Sequence, residues 1–464
     1  MSDATSATAS APVVAPLTTT GRYIILVCAF LGWFFCGFHM AITSMVMRPA
    51  AIDLLGKAGA IDSSRFREIS LRIEQSIKSD NPALVTPEEK GEQKAWNGTV
   101  IRWISWLTCS FLFGAATGGL LFGRLGDVIG RSKAMALSII TYSGLAAAAQ
   151  YAQSPEQLLV LWFLACTGVG GMWPNGVALL SEAWAGLSRP MVAGLIGTSA
   201  NIGIYVLSKV ADFEQYKITP DTWASFLQFG AWPMFLGVFS LIAVPESPRW
   251  LASRHAARAG NVAGPGMAEI FRPPLLATTL VGVALATVPI IGGWGSANWM
   301  ISWADLPDNP LFKAKVLQSR SFTGLVGSLL GGWIGSLLGR RHSYFVVSLA
   351  CLGIAQYTFW YSNPRDPLFL YWVGALGFFS GIYFGWLPLF LPELFPTRVR
   401  SMGAGVSFNF GRILTAVTVF ATGALTAYFQ NDYARMGQVT SLIFAVGMVA
   451  ILFAPETGRR PLED

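Results

Sequence analysis

The sequence predicts an all-α membrane protein: twelve transmembrane helices in two six-helix pseudo-symmetric halves, with the N- and C-termini cytosolic. Three observations carry this prediction. Twelve apolar segments are long enough to cross a bilayer, stretches of the first half recur in the second, and basic residues gather in alternate short loops. Composition agrees with all three. Of 464 residues, 53% are hydrophobic and only 12% charged, and the mean hydropathy is +0.51. Soluble domains average roughly 25% charged residues.

A helix needs about 20 apolar residues to cross the hydrocarbon. Segments of that kind lie at 22–46, 101–122, 134–152, 156–180, 190–210, 223–245, 274–300, 317–337, 343–361, 367–391, 403–429 and 438–454. A β-barrel would show alternating segments of about ten residues instead. Residues 1–21, "MSDATSATASAPVVAPLTTTG", lack the basic start and apolar core of a signal peptide and are expected to form a disordered cytosolic tail. The first half then runs over 22–250 and includes an extracytoplasmic loop at 47–96. That loop holds eight basic and eight acidic residues, and "RFREISLRIEQSIKS" within it has the pattern of a short amphipathic helix. We expect it to be a solvated cap. A cytosolic linker at 251–273 leads to the second half, 274–464.

Orientation follows from Lys and Arg in the short loops. With the N-terminus inside, fifteen basic residues fall inside, among them Arg22, Arg124, Lys133, Arg340 and Arg341. Only Lys217, Lys313, Lys315, Arg365 and Arg435 fall in short outer loops. The net charge of +7 is spread over span ends rather than gathered in one patch, which argues against nucleic acid as a partner. The five cysteines all lie in apolar segments, so neither a disulfide framework nor a metal site is indicated. No phosphate-binding GxxxxGK[ST] stretch is present, and clustered nucleophiles or carboxylates are lacking. No cofactor and no enzymatic activity are expected.

The repeat is explicit. "SEAWAGLSRPMVAGLIGTSAN" from Ser181 aligns with "PELFPTRVRSMGAGVSFNFGR" from Pro392. Glu182 then falls on Glu393, Arg189 on Arg400 and Asn201 on Arg412. "GRLGDVIGR" at 123–131 matches "GWIGSLLGR" at 332–340. An even number of spans per half makes the repeats parallel, an arrangement of secondary transporters whose substrate sits near mid-membrane at the repeat interface.

"GRLGDVIGRSK", "PESPRWL", "PELFPTRVRSMGAG" and the terminal "PETGRRPLE" resemble the motifs of the major facilitator superfamily, over residues 22–464. Within it the chain is similar to sugar porters and organic-ion transporters, and to bacterial sialic-acid, aromatic-acid and metabolite–proton symporters. The glutamine pair that sugar porters carry in helix 7 is absent from "VPIIGGWGSANWMISW". The resemblance implies alternating access, a monomer, and residence in a bacterial inner (plasma) membrane. It also implies a cytosolic latch, with Asp127, Arg131, Glu182, Arg189, Glu393, Arg398 and Arg400 as the gating residues. Ser336 stands where the first half has Asp127, so the second latch is expected to be the weaker.

Ionisable groups at membrane depth cost at least about 2.5–3.5 kcal/mol, so each is informative. Arg412 lies twelve residues beyond Arg400, about 18 Å along a helix, with no carboxylate at that depth. A guanidinium in a water-filled cavity can take a carboxylate bidentately. The alternative is an arginine braced by carbonyls and Asn409. His39 is the histidine deep in a span; it is either the proton-coupling residue or a neutral hydrogen-bonding one. Further candidates for the cavity are Asn201, Trp294, Asn298, Trp299, Tyr383 and Trp386, on helices 5, 7 and 10. Tryptophans at such positions also serve as packing groups or interfacial belts. Arg102 and Arg320 lie near outer span ends, where snorkelling explains them. The expected partners are the lipid bilayer and a small anionic substrate. A neutral sugar or polyol, with Arg412 structural, is the alternative.

Overall fold

The computed structural model describes residues 17–184, 189–248, 250–252, 254, 267–306, 308–396, 399–424, 428–429 and 432–457. The expected N-terminal tail up to residue 16, most of the linker, and Arg398 lie outside these residues, as does the side chain of Arg189. Every regular element among the described residues is helical, apart from an isolated bridge between Leu306 and Asn309.

The helices are α1 (Thr19–Lys57), α2 (Ser63–Lys78), α3 (Pro87–Ile129), α4 (Arg131–Ala149), α5 (Pro155–Ala183), α6 (Arg189–Val210) and α7 (Trp223–Ala243, in three short pieces). They continue with α8 (Leu275–Trp303), α9 (Phe312–Leu337), α10 (Arg340–Tyr361), α11 (Phe369–Glu393), α12 (Arg400–Ala424) and α13 (Tyr433–Phe453). Each predicted apolar segment falls on one of α1 and α3–α13. Among the described residues, nine helices are long and apolar enough to cross a membrane. The other three long ones, α4, α6 and α9, are less apolar by that measure. Of these, α6 and α9 pack closely against each other, an approach that small residues allow.

Two helices exceed expectation. At 1.5 Å per residue the 39 residues of α1 reach about 58 Å, and the 43 of α3 about 64 Å, so both project beyond their apolar stretches. The start of α3 is set by a capping box between Thr86 and Glu89, with Pro87 as the first residue. The amphipathic stretch in the long loop is helical, as α2, with Asp62 as its N-cap and Phe66 and Ile69 buried.

The repeat is visible atom by atom on the face where the chain termini emerge, here the terminal face. Helices α4 and α10 both follow a glycine in the left-handed region, Gly130 (φ 110°) and Gly339 (φ 83°), where a side chain would be strained. The Glu246 carboxylate accepts from the backbone N–H groups of Arg131 and Ser132. Glu456 accepts from those of Arg340 and Arg341. Both carboxylates thus sit at helix N-termini, where the orphan N–H groups and the dipole favour an anion. Across the seam between repeats, α3 packs on α12 and α6 on α9.

Close approach depends on missing side chains. A Cβ on Gly118 of α3 would meet the Thr167 carbonyl oxygen of α5 at 1.8 Å, and one on Gly170 would meet the Ala115 oxygen at 1.9 Å. Gly405 of α12 has nothing within 4 Å of such an atom. A Gly118→Ala variant is therefore expected to melt several degrees below the parent, since overpacking costs about 1–3 kcal/mol. Gly405→Ala serves as the neutral control; equal melting temperatures would contradict the packing argument. All five cysteines are buried and unpaired.

The opposite face carries α2 and is here called the loop face. Its seam is bridged by ion pairs. Asp305, just beyond α8, meets Arg48 of α1 at 3.1 Å and Lys313 of α9 at 2.9 Å. Arg48 also donates to Asn97 and to Tyr433 at 3.1 Å each. From α2, Lys78 pairs with Asp308 at 2.5 Å and Glu74 with Arg365. The long loop is therefore not merely a solvated cap: its helix is tied by charge to both repeats.

Candidate functional site

A central cavity lies on the seam, lined by α1, α3, α5 and α6 of the first repeat and α8, α9, α11 and α12 of the second. Its empty volume is about 1210 Å³, counting the part open to solvent. The walls are mostly aromatic and aliphatic. Trp33 and Trp173 pack at 4.8 Å, Trp173 stacks on Phe408 across the seam at 6.4 Å, and Phe111 packs on Trp294 at 4.5 Å.

Arg412 points into this cavity from α12. Its Nη1 donates to the Ala115 carbonyl of α3 at 3.2 Å and to Asn409 Oδ1 at 3.3 Å, and its guanidinium lies 4.8 Å from the centre of the Phe408 ring. Its Nε–H and Nη2 donors have no acceptor among the described residues. These are the donors of a bidentate fork. Among the described residues, no Asp or Glu lines the cavity.

The repeat mate Asn201 lines the cavity from α6, and its amide donates to Ser328 Oγ of α9 at 3.1 Å. Both mates thus reach across the seam. Trp294 and Asn298 also line the cavity, from a broken part of α8. There, Gly292–Ala297 form a π-helical turn, an arrangement frequent at functional sites. Ser296 Oγ and Asn298 Oδ1 are buried without a hydrogen-bond partner among the described residues.

The remaining candidates are placed elsewhere. Asn409 holds the arginine rather than the cavity wall, and its own amide donates to the Gly405 carbonyl at 3.0 Å. Trp299 packs on Tyr433, the Tyr383 hydroxyl meets Ser348 Oγ at 2.6 Å, and Trp386 stacks on Phe390. None of these three lines the cavity. His39 is fully buried between Tyr142 and Trp162, away from the cavity. Its ring nitrogens face two carbonyl oxygens, of Phe35 at 3.1 Å and Tyr142 at 3.2 Å.

Arg320 corrects the sequence reading. It does not snorkel from an outer span end. It lines the cavity from α9, and its Nη2 donates to the Gly293 carbonyl at 3.3 Å within the π-turn. Among the described residues it has no carboxylate partner. Arg102 does lie exposed at its helix's outer part, donating to Thr99. The backbone beside Arg412 packs at Thr287 of α8, six residues from Gly293, so the two arginines differ in level by about 9 Å. The two guanidinium groups carry like charge and repel across the shared chamber. An anion between them relieves that repulsion.

On the terminal face, Arg131 sits 3.6 Å from Glu182 and 3.9 Å from Asp127, and the Glu182 carboxylate also accepts from Ser247. Arg340 grips Glu393 through Nε and Nη2 at 3.0 Å each, and Thr457 donates to the same carboxylate. The second-repeat pair is the closer one, contrary to the expectation from Ser336. Without a competing aspartate, Arg340 turns its fork wholly to Glu393, and Ser336 Oγ accepts from Nη1 at 3.3 Å. Arg400 donates to the Phe395 carbonyl. The described ion pairs of this face each stay within one repeat, unlike those of the loop face.

The profile of the Major Facilitator Superfamily matches residues 81–417. The chain belongs to the major facilitator superfamily. It is a multi-pass integral membrane transporter, not an enzyme. It is 27% identical over 361 residues to the cis,cis-muconate transport protein of Acinetobacter baylyi, covering 76% of this chain and 85% of that one. It is 28% identical over 392 residues to an inner membrane metabolite transport protein of Escherichia coli, covering 76% and 83%. The fold is similar to that of the Escherichia coli xylose transporter, a structure solved in a partially occluded inward-open conformation. The TM-score is 0.65 at 14% identity, with 96% of this chain and 100% of that chain covered.

Proposed function

We propose that this transporter crosses the membrane twelve times with both termini in the cytosol, and that it moves a small organic carboxylate by alternating access of two six-helix halves. One observation carries the proposal: among the described residues, the Nε and Nη2 donors of Arg412 have no acceptor and no acid lines the cavity. The cargo of the cis,cis-muconate relative is itself a carboxylate, which supports the same reading. The basic residues of the short loops support the orientation. In that orientation the loop face is extracytoplasmic. A seam bridged there by Arg48, Asp305 and Lys313 then belongs to an inward-facing state. The protein acts as a monomer in a bacterial inner membrane.

Proton coupling is the second element, assigned to His39. A neutral ring can donate to one of its two carbonyl partners and a protonated ring to both, while its full burial disfavours the charge. Uptake unaffected by an imposed pH gradient would remove this element.

Flux in proteoliposomes tests the cargo. Uptake of a labelled carboxylate is expected to be competed by other carboxylates and not by sugars or polyols. Competition by neutral sugars alone would return Arg412 to a bracing role.

A further inference from the structure

We infer that Arg320 is a second anion anchor and that the cargo is a two-headed anion, a dicarboxylate. This rests on the carboxylate reading above and narrows it. Among the described residues, two guanidinium groups and no acid line the cavity. Each is fastened by one nitrogen only, Arg412 through Nη1 and Arg320 through Nη2. Each therefore keeps donors for a ligand. They come from different helices of the second repeat and stand at levels about 9 Å apart.

One carboxylate has its two oxygens little more than 2 Å apart, so it satisfies one fork and leaves the other cation alone in an apolar chamber. A dianion with a short carbon chain between its heads meets both. The apolar walls of the chamber suit that chain, because Phe111 and Trp294 pack together and both line the cavity. Asn298 and Asn201, on opposite walls, supply neutral polar contacts without adding charge. The same arrangement disfavours a neutral sugar, which would leave two buried cations without a counter-charge.

The test is binding to purified full-length protein, by thermal stabilisation and calorimetry, of succinate, adipate and cis,cis-muconate against their monomethyl esters. Each ester keeps the carbon chain and removes one charge. The best diacid is expected to bind roughly ten- to hundred-fold more tightly than its half-ester, the usual worth of a charge-assisted contact. In Arg320→Gln that ratio is expected to fall below about twofold. Equal affinity of diacid and half-ester on the parent protein, or an Arg320→Gln variant that keeps the ratio, overturns the second anchor while the carboxylate reading stands. Binding of neutral sugars with no binding of any acid overturns both. Where Arg320→Gln does not fold, the ester comparison on the parent protein decides alone.

Discussion

Replacing Arg412 by alanine is expected to weaken carboxylate binding by roughly 10- to 150-fold, the equivalent of the about 1.5–3 kcal/mol carried by a hydrogen bond to a charged group. Arg412→Lys keeps the charge but loses the planar fork, so an intermediate loss is expected. The ligand-free protein separates the two roles. A bracing arginine would show its removal in the ligand-free melting temperature, because Ala115 and Asn409 lose their donor. A receiving arginine shows it instead in the stabilisation that the carboxylate adds. Melting curves of parent and variant, with and without ligand, therefore distinguish them. Normal affinity in Arg412→Ala would leave the anion reading without support.

The second large effect is expected at Asp305. Its carboxylate holds Arg48 and Lys313, with all three side chains largely buried. Burial pushes the Asp305 carboxyl up, but the Lys313 ammonium and the Arg48 guanidinium outweigh it and hold the group below the ordinary carboxylate range. Asp305→Asn leaves two buried cations facing a neutral amide, and breaking a buried pair in this way costs about 3–5 kcal/mol. The loss falls on the state whose loop face is shut, because Asp305 and Arg48 lie on opposite sides of the seam. A cysteine introduced at Ser44, on the cavity wall, is expected to react with an impermeant maleimide at least tenfold faster in Asp305→Asn when reagent is applied from the loop face. An unchanged rate would mean that the triad does not hold the seam. A depressed carboxylate contributes stability above its unfolded value, near 3.9, and loses it as pH falls through the lower folded value. The ratio of Ser44→Cys reactivity in Asp305→Asn to that in the Asp305 protein, which cancels the thiolate fraction, is therefore expected to stay flat from pH 8 to about 5 and to fall towards one only under stronger acid.

The fold was legible because the bilayer imposes one length on every span and the duplication doubles each signal. Gly130 and Gly339 could be paired by alignment before any helix was seen. The site was legible where depth alone decided, at Arg412 and its mate Asn201. It was not legible at Arg320, because depth was counted from the start of the apolar stretch at 317. Helix α9 begins at Phe312, which carries Arg320 two turns inward. Trp299, Tyr383 and Trp386 failed to reach the cavity for a different reason. A helix that is apolar all round gives no periodic sign of which face meets the cavity. The same ambiguity hid Trp33 and Trp173, which do line it. The cross-seam pairs of the loop face join residues hundreds of positions apart, as Arg48 and Tyr433 do, and charge counting alone cannot match such partners.

The buried, unpaired cysteines give this chain a practical property. None of the five borders the chamber, and every thiol is enclosed by packed side chains. Maleimide and spin-label reagents thus meet a silent background in the native protein. Engineered thiols on either rim can report the rocking of the two halves without first stripping the natural ones.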